Sequence, residues 1–245
     1  MKFIESSHKY TDGISDFVPV TYLIKQFQEK QDWDKIAEKK AKKDGITKEE
    51  LLAQWADKRD KAALKGTNFH KMMEQKYQTA PVMEVEGDQC QVKWIDTIDG
   101  VKEDQSLLLE DNHVYTEKMI WSNVYKVCGT ADLVEVVKGK INIKDYKTNE
   151  KMEFESWTHP NPAIGKRKLL SPFNNLDDCN FNIYQIQLNV YMWMLLRHNR
   201  HLKIGKMEIL HILFDDNDQP VDTIAYKVDN LQPQIATMLK KYFGK

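Results

Sequence analysis

The chain has 245 residues, of which 41% are hydrophobic and 30% charged, with 10 glycines and 7 prolines. This balance is that of an ordinary globular protein and excludes a disordered or collagen-like chain. The formal net charge is -1, so no global field attracts a polyanion, and any contact with nucleic acid must come from local clusters.

Two further properties bear on the cellular compartment. No stretch approaches the roughly 20 apolar residues that a membrane-spanning helix needs, and residues 1–6 lack the basic and then apolar build of a signal peptide. Cys90, Cys128 and Cys179 are widely spaced and form no CxxC pair, which indicates reduced thiols rather than a zinc or iron–sulfur site. We therefore expect a cytoplasmic protein that does not associate with membranes.

The N-terminal part is predicted to be mainly helical. Polar residues at positions 12 and 13 indicate a short hairpin, which a helix follows from about residue 21. Residues 21–77 are rich in Lys, Glu, Ala and Gln, with apolar residues at helical spacing. They predict three or four helices, with breaks at Asp44-Gly45 and at Gly66.

The rest of the chain is predicted to combine a sheet with two helices. Residues 90–145 alternate between apolar and polar side chains, which indicates a largely antiparallel sheet. The irregular connection over residues 150–182 is longer than ordinary loops and therefore indicates a functional segment. A buried helix is predicted over residues 181–197, then a final strand over 206–214 and a C-terminal helix from about Leu231. The predicted fold class is mixed α/β.

Two aspartates are predicted to face each other at the end of one hairpin. Two strand-like runs flank Lys138-Gly139, which has the length of a tight two-residue turn. Stepping back from this turn brings Asp132 opposite Asp145, on the face that carries apolar side chains. Like charges this close are destabilising, so a cation is expected between them. Oxygen ligands of this kind favour Mg²⁺ or Mn²⁺.

Lys147 brings a positive charge to the same place. It follows Asp145 by two residues and therefore projects from the same face of the strand. An ammonium there can orient water or neutralise charge on a phosphate. For the Asp-x-Lys triplet alone, an ordinary surface ion pair is the simpler interpretation, and it is the facing Asp132 that favours a functional site.

A helical pair could complete such a site. Thr67 follows Gly66 and can cap a helix, on which His70 and Glu74 lie four residues apart on one face. A lone His is more often a packing residue, but this pair and the aspartates form a coherent set of oxygen and imidazole ligands. Glu117, on a strand before the hairpin, is a weaker candidate for the same site.

A second helical pair lies on the buried helix. Gln187 and Tyr191 are four residues apart, and Tyr191 is first of all a core residue. A buried Gln nevertheless needs a polar partner, which the end of the hairpin or a phosphate would supply.

Four short motifs follow one another along the chain. They are Gly66-Thr67-Asn68-Phe69-His70 with Glu74, then Gly129-Thr130-Ala131-Asp132, then Asp145-Tyr146-Lys147-Thr148, then Gln187-Leu188-Asn189-Val190-Tyr191. In this order they resemble the RecB-like branch of the PD-(D/E)XK nuclease superfamily, which includes phage-encoded exonucleases. The resemblance covers about half of the chain and implies a restriction-endonuclease-like core, with a central mixed sheet flanked by helices. It implies a single nuclease domain over residues 1–245, with an N-terminal helical subregion over 20–65 and a catalytic core over 66–214.

The activity that the resemblance implies is metal-dependent hydrolysis of DNA phosphodiester bonds, with Mg²⁺ or Mn²⁺ as cofactor. The implied metal ligands are Asp132, Asp145, His70 and the backbone carbonyl of Tyr146. The chain lacks the four cysteines of iron–sulfur relatives and the GxxxxGK[ST] motif of helicases, which suggests a stand-alone nuclease.

The resemblance also implies roles for other residues of the motifs. Lys147 would position and activate the attacking water, and Glu74 would be a further acid at the site. Gln187 and Tyr191 would support the active site or the DNA strand.

The expected partner is DNA, single-stranded or with free ends. Lys166, Arg167 and Lys168 lie in the long connection near Phe173, and cations interleaved with aromatic residues suit unpaired bases. An exonuclease of replication, recombination or repair is expected, with a recombination or single-strand-binding protein as a candidate partner.

Two other interpretations are kept. One is a catalytically silent DNA-binding or assembly subunit that retains the fold, and the other is a metal-dependent hydrolase that is not a nuclease. The sequence does not decide between exonuclease and endonuclease, between DNA and RNA, or between the two cleavage polarities.

Overall fold

The computed structural model describes residues 1–158 and 165–244, so residues 159–164 of the long connection lie outside it. Within that part of the chain the helices are α1 Val20–Lys25, α2 Trp33–Asp44, α3 Lys48–Gln78, α4 Asn180–His198 and α5 Gln232–Phe243. The strands are β1 Lys2–Ile4, β2 Lys9–Thr11, β3 Val18–Pro19, β4 Val82–Val85, β5 Asp88–Lys93, β6 Thr97–Ile98, β7 Val101–Glu103, β8 His113–Ser122, β9 Val127–Val137, β10 Lys140–Lys147, β11 Lys203–Phe214 and β12 Pro220–Lys227. The predicted mixed α/β class is confirmed.

The strands form a large mixed sheet and a small antiparallel one. The large sheet has the order β12-β11-β10-β9-β8-β5-β4, and β3 also pairs with β9. β8, β9 and β10 pair antiparallel, as predicted, whereas β5 runs parallel to β8 and β10 runs parallel to β11. The small sheet has the order β2-β1-β7-β6. In this sheet the N-terminal strands β1 and β2 join β6 and β7, which precede β8, through the pairing of β1 with β7.

Helices cover both faces of the large sheet, because its central strands are apolar on both sides. Val134 and Val136 belong to the main core, which includes α4 residues such as Ile186. Leu133 and Val137 point to the opposite face, where they pack with Tyr77 of α3. α4 and α3 thus bracket the β9–β10 hairpin.

α3 is one continuous helix of 31 residues. A capping box starts it: the Thr47 hydroxyl accepts from the Glu50 amide, and the Glu50 carboxylate accepts from the Thr47 amide. The predicted break at Asp44-Gly45 is confirmed, since Gly45 ends α2 with a φ of 70°. The predicted break at Gly66 is wrong, and so is the predicted cap at Thr67. Gly66 lies inside α3, whose length and capping box offset the cost of one glycine, and a Cβ at Gly66 would be 3.2 Å from the Thr148 hydroxyl.

The C-terminal part of the chain contains one strand more than the sequence predicts. α4 and α5 form close to the predicted positions. The strand over 206–214 is not the last one, because β12 follows it and pairs antiparallel with β11 at the edge of the sheet. No helix of the described residues is apolar over a length that would cross a bilayer.

Candidate functional site

The β9–β10 hairpin brings the two predicted aspartates together. Its turn residues Lys138 and Gly139 both have positive φ, as tight two-residue hairpins require. The ladder runs from Val137–Lys140 to Leu133–Lys144, so the next pair outward is Asp132 and Asp145. The predicted register is therefore confirmed, and the Tyr146 amide donates to Asp132 Oδ2 across the strands at 2.6 Å.

Asp145 and Lys147 form a buried ion pair. Asp145 is 2% exposed, and its Oδ2 faces the Lys147 ammonium. Burial raises the pKa of Asp145 to about 6, although Lys147 pulls it down. The pKa of Lys147 is raised as well, because the attraction of Asp145 and Asp132 outweighs the effect of burial. The ammonium also lies 4.6 Å from the centre of the Tyr184 ring.

His70 lies between two carboxylates. Its Nδ1 is 3.3 Å from Asp132 Oδ1 and 3.6 Å from Glu117 Oε1. Burial alone would lower the pKa of His70, but Asp132 and Glu117 raise it to about 10. In the metal-free protein the imidazole is therefore a cation that offsets the two acids.

Glu117 enters the site through an unusual backbone conformation. It is located in the middle of β8, opposite Asp132, between the pairs Thr116–Leu133 and Lys118–Ala131. Its φ is 49°, which non-glycine residues adopt rarely and usually at a cost of about 1–3 kcal/mol. The Glu117, His70 and Asp132 side chains offer ligand atoms that all lie within 4.8 Å of one another. Glu117, the weaker candidate from the sequence, is thus a member of the central group. This group is called the His70–Glu117–Asp132 cluster below.

Glu74 lies one helical turn beyond His70, as predicted, but its partner is different. Its Oε1 accepts from Lys102 of β7 at 2.9 Å, and this ion pair is largely shielded from solvent. Its role as a further acid of the site stays a prediction. Both Glu74 and Lys102 line a cleft of about 810 Å³ that His70 and Glu117 also line.

Gln187 and Tyr191 approach the site from α4. Gln187 Nε2 lies 3.5 Å from Asp145 Oδ1 and 3.1 Å from the Tyr191 hydroxyl. Gly129 makes room for this ring, since a Cβ there would be 2.5 Å from the Tyr191 hydroxyl. Gln187 of α4 therefore contacts the Asp145 carboxylate. This agrees with the expectation that the buried Gln needs a polar partner.

The basic run in the long connection is engaged within the protein. Lys166 pairs with Glu155 at 2.6 Å, Arg167 pairs with the buried Asp178 at 2.8 Å, and Lys168 pairs with Asp177. All three therefore have an acidic partner within the protein, and their binding to DNA stays a prediction.

The donor set fits a hard divalent cation. Asp132 and Glu117 offer carboxylate oxygens and His70 offers a ring nitrogen, which suits Mn²⁺ and, with water completing the shell, Mg²⁺. Asp145 is the next carboxylate and feels the charges of both Asp132 and His70. Its participation and that of the Tyr146 carbonyl stay predictions.

Comparison with known proteins adds no family to these observations, because neither a scan against models of known families nor a search of curated proteins gave a match. The function proposed next therefore depends on the chemistry of the described side chains.

Proposed function

We propose that this protein is a metal-dependent deoxyribonuclease that hydrolyses DNA phosphodiester bonds. One observation carries the proposal: Asp132 of the His70–Glu117–Asp132 cluster lies opposite Asp145 of the buried Asp145–Lys147 pair, and the other two members of the cluster line a cleft of about 810 Å³. Burying charged groups is costly, and the three carboxylates outnumber the two cations, His70 and Lys147, that offset them. A phosphodiester and a divalent cation provide the matching charges.

The cation would be Mg²⁺ or Mn²⁺, held by Asp132, Glu117 and His70 with Asp145 beside them. When bound, it would neutralise the charge that develops on the phosphate and favour ionisation of a nearby water. Because His70 holds a proton between two carboxylates in the metal-free protein, that proton must leave before the ring can bind a cation.

Lys147 is assigned an electrostatic role. Its raised pKa means that it stays protonated and donates hydrogen bonds rather than acting as a general base. Asp145 and the Tyr184 ring fix the ammonium on the face of the hairpin that also carries Asp132. From there it can orient the attacking water and stabilise negative charge on the phosphate.

We also propose the fold arrangement, the type of nuclease and the compartment that the sequence predicts. The central mixed sheet with helices on both faces is compatible with a restriction-endonuclease-like core, and we propose that arrangement. We further propose an exonuclease for single-stranded or frayed DNA in replication, recombination or repair, working in the cytoplasm. Three free, buried thiols support a reducing compartment.

The test is degradation of end-labelled single- and double-stranded DNA with Mg²⁺, Mn²⁺ or chelator. The variants are Asp132→Asn and Lys147→Met, with Glu110→Gln as the matched control, because Glu110 pairs with Lys93 on the exposed surface. We expect metal-dependent cleavage that each site variant lowers by about 100-fold or more and that the control leaves unchanged. The order in which products appear gives the polarity.

Two results would refute the proposal. Binding of DNA without cleavage under any metal condition would identify a silent binding subunit. Turnover of bis(4-nitrophenyl) phosphate by a protein that neither binds nor cleaves DNA would identify another metal-dependent hydrolase.

A further inference from the structure

The cleft beside the cluster has two different walls. One wall is α3 and β8, which contribute His70 and Glu117. The other wall is the small sheet, which contributes Phe3, Tyr10 and Lys102. A volume of about 810 Å³ is in the range of ligand-binding clefts, roughly 300–1,000 Å³.

Lys102 places an ammonium group on the cleft side of the small sheet, where Glu74 holds it in position. Only 13% of its side chain is exposed, and Glu74 holds it by one contact of 2.9 Å. An ammonium has three N–H donors, so donors remain for a phosphate oxygen. Lys71, on the exposed side of α3, lines the same cleft and adds a second cation.

Aromatic rings lie beside this charge. The Phe3 ring is 4.6 Å from the Tyr10 ring and 5.1 Å from the His8 ring, and all three residues line the cleft. The Tyr10 hydroxyl bonds Thr130 Oγ1 at 3.0 Å, and Thr130 is two residues from Asp132. Tyr10 therefore links the aromatic group to the strand that carries Asp132. Stacking of bases on such rings is how proteins hold single strands without reading their sequence.

We propose that the small sheet binds the nucleotide next to the scissile phosphate of a single strand. Lys102 binds its phosphate, and its base stacks on the Phe3 ring, with the perpendicular His8 ring against the edge of the base. Glu74 positions Lys102 and is not itself a metal ligand. This inference rests on the proposed function and adds to it the residues that bind the flanking nucleotide.

Binding and hydrolysis are tested separately. Binding of a fluorescent single-stranded oligonucleotide, and of an abasic strand of equal length, is measured by anisotropy in the Lys147→Met background, where cleavage does not interfere. Lys102→Gln is expected to weaken both strands by about tenfold, and Phe3→Leu to weaken only the strand that carries bases. Lys206→Gln is the control, because Lys206 also pairs with a glutamate, Glu86, at 2.7 Å, but in a more exposed place outside the cleft.

Hydrolysis supplies a second readout. With Lys147 intact, Lys102→Gln should raise KM for the oligonucleotide by more than it lowers kcat, because Lys102 binds the flanking nucleotide and not the scissile phosphate. Lys102→Arg should restore binding in part, which separates a charge effect from a folding defect, and unfolding temperatures check the fold of every variant.

The outcomes distinguish the two proposals. Unchanged oligonucleotide binding in Lys102→Gln and Phe3→Leu, with cleavage intact in the wild type, overturns the role of the small sheet and leaves the nuclease standing. Binding that depends on Lys102 without any cleavage supports the small sheet and refutes the nuclease. No binding of single strands at all overturns the role of the small sheet directly.

Discussion

At the scale of single residues, the carboxylates of the site are offset by two protonated side chains. His70 is a cation between Asp132 and Glu117, and Lys147 is a cation against Asp145. A divalent cation that enters the cluster replaces the imidazole proton, because both bind the same ring nitrogen. Metal binding is therefore linked to pH.

The sign of this linkage is a prediction. The pKa of His70 in the metal-free protein is about 10, so below that pH one proton must be released for each cation bound. Affinity for Mn²⁺ should rise about tenfold per pH unit, or about 100-fold from pH 7 to pH 9. Calorimetry in buffers of different ionisation enthalpy counts the protons released.

The control for this experiment is another histidine of the same sheet. His113 binds the Asp111 carbonyl through Nδ1 and has no place in the cluster. The variant His113→Gln should keep the proton release, and His70→Gln should lose both the release and much of the affinity. Metal binding to the wild type without proton release would contradict the assigned charge of His70.

The sequence predicts some of these residues and not others. Asp132 and Asp145 follow from counting back along a hairpin, since a two-residue turn fixes the register. Glu117 could be named only as a weaker candidate, because its place depends on the register of β8 against β9 and on a rare backbone conformation, and no pattern in the sequence specifies either. The Glu74–Lys102 pair joins α3 to a different sheet, so helical spacing alone could not reveal it.

At the scale of elements, α3 shows why a glycine need not end a helix. One Gly costs about 1 kcal/mol against Ala, which a helix of 31 residues with a capping box and tertiary contacts can absorb.

The sequence does not predict strand β12, for another reason. Almost all of its residues are exposed, so it lacks the alternation of buried and exposed side chains that indicates a strand.

A double-mutant cycle tests the packing at Gly66. Ala favours the helix by about 1 kcal/mol, but its Cβ crowds the Thr148 hydroxyl at 3.2 Å. In the wild-type background, Gly66→Ala should show none of that gain in free energy of unfolding. In the Thr148→Ala background the same change should stabilise by about 1 kcal/mol.

A residue on the same helix provides the control. Ala63 is exposed, and Ala63→Gly should cost about 1 kcal/mol in both backgrounds, as measured by urea unfolding. If Gly66→Ala had the same effect with and without Thr148, the close approach would not be the reason for the glycine.

At the scale of the whole molecule, one ion pair joins the two sheets. Asp104 extends the small sheet beyond β7, where its amide donates to the Met1 carbonyl and its own carbonyl accepts from the N-terminal ammonium. Its carboxylate binds Lys118 of β8 at 2.7 Å, with both side chains less than 10% exposed. The small sheet is thereby anchored to the strand that carries Glu117.

Removing this anchor should be costly. Lys118→Met leaves the Asp104 carboxylate buried and unpaired, so we expect a loss of about 3–5 kcal/mol in free energy of unfolding. Lys93→Met removes an exposed pair with Glu110 and should cost less than about 1 kcal/mol. Denaturant unfolding measures both, and equal losses in the two variants would contradict the anchoring role.

The site is assembled from segments that are far apart in the sequence, and this affects when it can form during synthesis. Tyr10 meets Thr130, Val18 pairs with Val127, and Gln187 reaches Asp145 only from a helix that begins at Asn180. Contacts between such distant parts of a chain form late in folding. A chain still on the ribosome has made both aspartates long before α4 emerges. If the site acts as proposed, a chain that ends before α4 should therefore lack nuclease activity, although it already contains both aspartates.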